Sequence, residues 1–196
     1  MSVHTLPHPR HGVRTGRSAV MPNGVFGMLI FVVAEVMLFA GFVSAFTIMR
    51  RSALVWPPPG QPRLPVEETA FNTAILVASG VAMLLAGRAF RRHAPSASRP
   101  LVAAIGLGAA FVVLQGREWW MLIGEGLTLT SSALGAFFYL IVGLHALHAI
   151  AALGFLVYAW RRLARGFLPP GVMGAAEVLW LFVVAVWPFL YWRIYL

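Results

Sequence analysis

The stretch Ile30-Phe31-Val32-Val33-Ala34-Glu35-Val36-Met37-Leu38-Phe39-Ala40-Gly41-Phe42 lies inside an apolar run from Val25 to Met49 whose single ionisable side chain is Glu35. A run of about 20 apolar residues suffices to cross a ~30 Å hydrocarbon core. Lipid cannot hydrogen-bond an exposed backbone, so a spanning segment must be a helix or part of a closed barrel. Continuous hydrophobicity without alternation selects the helix. Four more runs of this kind follow, at Ala70–Phe90, Leu101–Ile123, Ser132–Trp160 and Ala175–Tyr195. The expected fold is therefore all-α: a polytopic membrane protein of five transmembrane helices.

Composition agrees. Hydrophobic residues make up 60% of the 196 positions and charged residues 11%, against about 45–50% and about 25% in soluble domains. The length suits one bundle, residues 25–196, behind a basic, flexible arm, residues 1–24. With no cysteine, disulfides, thiolate metal sites and iron–sulfur clusters are ruled out. Every basic residue is Arg and there is no Asp, which reads as codon bias in a GC-rich bacterium. A net charge of +9 raises nucleic acid as a partner. The Arg residues, however, sit in short connections beside apolar runs, where they report topology; nucleic acid is not expected.

Arg10, Arg14 and Arg17 lie in the arm, Arg88, Arg91, Arg92 and Arg99 in the second connection, and Arg161, Arg162 and Arg165 in the fourth. These fall on one side of the membrane, and the positive-inside rule makes that side cytoplasmic, with the C-terminus periplasmic. The arm has no cleavage site and precedes a full-length span, so it is not read as a signal peptide. The first outer connection, Trp56-Pro57-Pro58-Pro59-Gly60-Gln61-Pro62, favours stiff, extended backbone. It either lies along a partner or merely joins two helix ends. Ala74, Ala78, Ala82 and Ala86 recur every four residues and predict a smooth packing face, as small residues do in lipid. Gly135, Gly143, Ala146 and Gly154 do so less regularly.

Few residues offer chemistry. A charged Glu35 at mid-membrane would cost roughly 2.5–3.5 kcal/mol on insertion scales, so a partner is expected. It is either a neutral carboxyl bonded to a neighbouring helix or a member of a proton path or buried pair. His145 and His148 are three apart and share a helix face. That spacing suits metal or haem ligation only if further ligands converge, and no metal site is expected. At 1.5 Å per residue, Glu35 lies ~15 Å and His148 ~18 Å from the same end, so the two can bond if their helices touch. Glu118 and Arg117 are adjacent and cannot face each other, which gives each another partner. Trp119 and Trp120 read as an interfacial belt. Asn72 is expected to bond across to another helix, while Glu67, Glu68 and Glu125 are placed in loops. No catalytic residue is expected in this chain.

In the same order along the chain, these segments resemble subunit III of the haem–copper respiratory oxidases. The Glu35 segment is similar to the family's Ser-Glu-Val-x-Phe-Phe stretch, and Trp56-Pro57-Pro58 to its Trp-Pro-Pro loop. Phe71-Asn72-Thr73 with Ala78-Ser79-Gly80 resembles Leu-Asn-Thr and Ala-Ser-Gly. Leu114-Gln115-Gly116-Arg117-Glu118-Trp119 resembles Leu-Gln-x-x-Glu-Tyr, and Gly143 to His148 resembles Gly-Phe-His-Gly-Leu-His. The last helix departs: Leu181 and Val184 stand where the family shows His and Asp. Length and pattern resemble the short, five-helix bacterial type.

The resemblance implies an accessory, non-catalytic subunit of a terminal oxidase using cytochrome c or quinol. It would pack on the haem- and copper-bearing subunit I, with subunit II and other respiratory-complex subunits nearby, in the bacterial inner membrane. Haem and copper would belong to those partners, while this chain would hold phospholipid and support proton supply and sustained turnover. Glu35, His145, His148, Glu118 and Asn72 would form the buried polar set. Arg88, Arg91, Arg92, Arg161 and Arg162 would stand near lipid phosphates. Two alternatives remain open: an accessory protein of a nitric oxide reductase, and a small proton-coupled transporter.

Overall fold

A computed structural model describes residues 22–56 and 58–196; the expected arm lies outside the described residues as far as residue 21. Five helices long and apolar enough to cross a membrane account for the described fold. They are α1 (Asn23–Ser52), α2 (Val66–Arg91), α3 (Ser98–Gly124), α4 (Ala133–Ala164) and α5 (Pro170–Ile194), with one 3₁₀ turn (Pro95–Ala97) before α3. Most outrun the apolar stretches because polar residues carry the first and last turns through the interface. Glu67 and Glu68 are thus not loop residues but the first turn of α2, where negative charge meets the positive helix terminus.

α5 is the hub, packing on α1, α2 and α4, while α3 packs on α2 and α4. α1 touches neither α2 nor α3. The connection from Ala53 to Pro65 therefore joins two helices that are not neighbours, which accounts for its length. It is not extended throughout: the Gln61 amide bonds the Pro58 carbonyl at 3.2 Å, with Gly60 at φ +78°. Trp56 docks edge-on against Phe46, centroids 5.8 Å apart, and Gln61 meets Ser131 at 3.1 Å. The loop spans helix ends and is tied down to them.

Three aromatic side chains of α5 hang on α2. Trp180 Nε1 donates to Ser79 Oγ at 3.0 Å, Trp187 Nε1 to Thr73 Oγ1 at 3.0 Å, and Tyr191 OH to the Val66 carbonyl at 3.0 Å. Ascending numbers on α5 meet descending numbers on α2, so the two run antiparallel. Ser79 Oγ also donates to the Ala104 carbonyl of α3 at 2.7 Å. Glycines make room for this junction. A Cβ on Gly108 would lie 2.6 Å from the Trp180 ring, and one on Gly80 would lie 2.8 Å from Val184.

The alanine row is not the packing face. Ala74 and Ala78 are exposed, Ala82 is half-buried and only Ala86 is buried. A step of four residues turns about 400° on a 3.6-residue helix, so the row winds ~120° around α2. The buried stripe is Asn72, Leu76, Ser79, Gly80, Met83 and Gly87, at the three- and four-residue steps a helix face requires. On α4, Gly135 is buried against the Thr128 carbonyl, whereas Gly154 is exposed. Three helices close by one device: the α2, α3 and α4 ends carry His93, Gly126 and Gly166 at positive φ. In each case the following amide reaches back five residues, as Leu127 does to Leu122 at 2.9 Å, the bond of a Schellman cap.

Gly108→Ala is expected to destabilise the bundle by about 1–3 kcal/mol through overpacking against Trp180. Gly106→Ala, whose Cβ meets open space, should be neutral or slightly stabilising, since Ala favours helix. Thermal unfolding of the two purified variants, followed by circular dichroism, checks the contrast.

Candidate functional site

Two buried polar sites emerge, each centred on a carboxyl. The first lies where α2 begins and α3 ends. Thr69 and Asn72 are three apart on α2, and Gln115 and Glu118 three apart on α3, so each pair shares one helix face. Facing each other, they converge on Glu118, which is 2% exposed. Asn72 Nδ2 donates to Oε1 at 2.6 Å and Gln115 Nε2 to Oε2 at 2.7 Å. Thr69 Oγ1 lies 2.9 Å from Oε2 and 2.7 Å from the Pro65 carbonyl, sharing its one proton between them. Gln115 also donates to Tyr195 OH at 3.2 Å, which ties the C-terminal end into the set. Charge-assisted or neutral, a carboxyl ringed by donors clamps α2 to α3.

Asn72 thus bonds across helices, to the same carboxyl that Arg117 does not meet. Arg117 instead lines an open recess with Glu67 and Glu68. The sequence does not single out Thr69 or Tyr195, and Gln115 enters only within the Leu114-to-Trp119 segment. The three-residue spacing of Thr69–Asn72 and Gln115–Glu118 was the available signal.

The second site is on α1 and α4. His148 Nε2 stands 3.1 Å from Glu35 Oε2, with side chains 14% and 13% exposed. His148 Nδ1 lies 2.8 Å from the Leu144 carbonyl of its own helix. A carbonyl only accepts, so Nδ1 carries a proton and Nε2 faces Glu35. The approach is close, but it is not a hydrogen bond: Glu35 Oε2 has no hydrogen-bond partner among the described residues. Phe31 and Phe39, four residues either side of Glu35, flank the His148 ring at 6.4 and 5.7 Å.

His145 does not join this pair. Its ring lies against Trp187, centroids 4.9 Å apart, and Phe39 packs edge-on against both histidines at 6.3 and 5.7 Å. Among the described residues, no group of three or more His, Cys, Asp or Glu side chains is arranged to hold a metal ion. Trp119 and Trp120 do not form a common belt. Trp120 is 81% exposed, while Trp119 packs inward on Phe138 and Tyr139, because adjacent helical residues point about 100° apart.

The arginines divide. Arg91 is committed to Glu177 of α5 at 2.7 Å, an acid set inside an apolar run. Arg162 bonds Tyr158 OH at 2.8 Å and the Phe167 carbonyl at 3.2 Å. With Arg161 and Arg165 they line an open recess of ≈ 390 Å³ at the end of α4. Arg88 and Arg92 are exposed near the end of α2.

Residues 11–196 match the family model described as cytochrome c oxidase subunit III. Cytochrome c oxidase subunit 3 of Pelomedusa subrufa is 34% identical over 187 residues, covering 90% of this chain and 70% of that one. That of Dasypus novemcinctus is 35% identical over 183 residues, covering 87% and 68%. That of Mus musculus is 36% identical over 204 residues, covering 95% and 75%.

The two carboxyls should respond differently to substitution. Glu118→Gln brings an amide N–H₂ into a ring of donors and is expected to cost about 1–3 kcal/mol. Glu35→Leu and His148→Phe should each destabilise by stranding the other partner, while the double variant recovers part of the loss. Thermal unfolding of the four variants in detergent measures both effects.

Proposed function

Since the chain belongs to the cytochrome c oxidase subunit III family, the accessory subunits of haem–copper oxidases, we propose that it packs as a non-catalytic subunit on the haem- and copper-bearing subunit I. There it binds phospholipid and supports proton uptake and sustained oxygen reduction in the bacterial inner membrane. The observation that carries the reading is the place of the Glu35–His148 pair. Its acid sits on α1, the helix with only 6% of its apolar stretch buried, against 50% for α5. Outward-facing Ile30, Val33 and Met37 are 57%, 58% and 65% exposed, and they offer lipid or a neighbouring subunit an apolar face. A subunit seated there would lie one side chain away from the Glu35–His148 contact. The Arg161–Arg165 recess, flanked by Tyr158 and Phe167, suits the phosphate and upper acyl chain of an anionic lipid.

The last helix fits the same assembly without the family's polar pair. Val184 packs on Gly80, an apolar contact that asks for no hydrogen-bond partner, and Leu181 is half-buried.

Purification of the tagged full chain from its host in mild detergent is expected to bring down a haem-bearing complex with an oxidase spectrum. Recovery with a nitric oxide reductase, or as a colourless protein that moves protons in liposomes, would overturn the proposal. Glu35→Gln, which keeps size and a donor toward His148 Nε2, should leave the complex assembled. Its oxygen-consumption time course reports whether the carboxyl serves turnover: earlier decay than wild type is expected, and an unchanged course removes the proton role.

A further inference from the structure

Most arginines of the chain gather at one end of the bundle, where the positive-inside tendency accounts for them. Four stand at the opposite end, where α1 and α5 finish. Arg50 and Arg51 lie in the last turn of α1, Arg193 in the last turn of α5, and Arg63 on the loop before α2. Topology gives no reason for them. They line two neighbouring recesses that share Arg50 and Trp56. One, of ≈ 420 Å³, adds Arg63 and Tyr195; the other, of ≈ 490 Å³, adds Arg51, Trp192 and Arg193. Among the described residues, no Asp or Glu side chain lines either recess.

Two of the guanidiniums are held in place. Arg50 lies over the Trp56 ring at 5.7 Å and donates to the Arg193 and Leu196 backbone oxygens at 3.4 and 3.2 Å. Arg193 lies over the Trp192 ring at 5.5 Å and donates to Thr47 Oγ1 at 2.8 Å. These contacts cap the end of α5 and orient the charge without neutralising it. Even with the Leu196 oxygen counted as a full carboxylate, four positive charges against one leave a surplus of three. A guanidinium carries five N–H donors in a planar fork that matches a carboxylate. The vacant charge calls for an anion.

Shape selects the carrier of that anion. The Arg50–Arg63 recess is ringed by the end of α1, the starts of α2 and α4, and the end of α5, so it is entered from beyond the helix ends. A lipid phosphate reaches the Arg51–Arg193 recess on the α1–α5 flank but not this one. A polypeptide crossing Arg50 and Trp56 places acidic side chains in both. On the loop between Arg51 and Trp56, Leu54 and Val55 are 103% and 61% exposed, an apolar pair that a protein partner covers. We propose that the paired recess docks an extended acidic segment of a neighbouring subunit, with carboxylates bonded to Arg51 and Arg193 on one side of Arg50 and to Arg63 on the other. The proposal rests on the chain being part of an oxidase complex. That reading is tested by the wild-type purification alone, and it can stand while the arginine groove fails.

The tagged full chain is immobilised with its haem-bearing partner, and the salt concentration that releases the partner is measured. Arg51→Gln and Arg63→Gln, at exposed positions in different recesses, are each expected to weaken retention about two- to five-fold, as loss of one exposed ion pair does. Arg99→Gln, an equal change of charge at the other end of the bundle, should release as wild type does. Weakening by only one of the two recess variants, or by neither, overturns the proposal. Loss of co-purified phospholipid with Arg51→Gln alone, seen by native mass spectrometry, overturns it in favour of a lipid phosphate. A second measurement uses the absence of lysine from the chain. Arg51→Lys and Arg63→Lys each place a single lysine amine in one recess, and carbodiimide treatment of native membranes couples it to a carboxylate within contact. Attachment of both variants to an acid-rich peptide of another polypeptide is expected. Coupling only within the chain, or none, overturns the docking site.

Discussion

Ser79 Oγ stands between three helices, accepting a hydrogen bond from Trp180 Nε1 of α5 and donating one to the Ala104 carbonyl of α3. In lipid there is no hydrophobic force to bring helices together, so association rests on close packing and interhelical hydrogen bonds. The Ser79 junction supplies both: the bonds are made through the hydroxyl, and the packing is allowed by Gly80 and Gly108, which leave room for Val184 and the Trp180 ring. Once α5 is fixed on α2, the Trp187–Thr73 and Tyr191–Val66 bonds follow in register. That register brings Tyr195 beside Gln115, and so helps place the Glu118 clamp.

The two buried carboxyls are held in different ways, and their settings differ accordingly. Glu118 is buried among side chains from α2 and α3 that complete its hydrogen bonding, at the end of the bundle where α2 begins and α3 closes. Its surroundings make it a fastener. Glu35 meets one imidazole, His148 of α4, from the least buried helix. The difference arises from the helices that carry them: α3 is packed between α2 and α4, whereas α1 leans on α5 and α4 alone.

Apolar packing replaces polar pairing in α5. Val184 on Gly80 needs no proton partner, and the aromatic donors of α5 find hydroxyls or a carbonyl on α2. The one acid of α5, Glu177, is drawn to Arg91 at the arginine-rich end, where a surface pair of this kind adds little stability but fixes the approach of α2 to α5.

By itself the sequence determined the number of spans and their helical nature, because a 30 Å hydrocarbon layer and an unsatisfied backbone leave few choices. It also determined that Glu35 needs a partner, and residue rise along a helix placed His148 at a matching depth. Tertiary structure decided which helices touch. The alanine row, regular on paper, winds away from the interface, and Trp119 turns inward where its neighbour Trp120 faces out. Thr69, Gln115 and Tyr195 acquire meaning only when α2, α3 and the end of α5 are brought together. Periodicity fixes where a side chain lies on its own helix; which neighbour meets it depends on the rotation and pairing of whole helices, and those are set by interlocking contacts among residues distant in the chain.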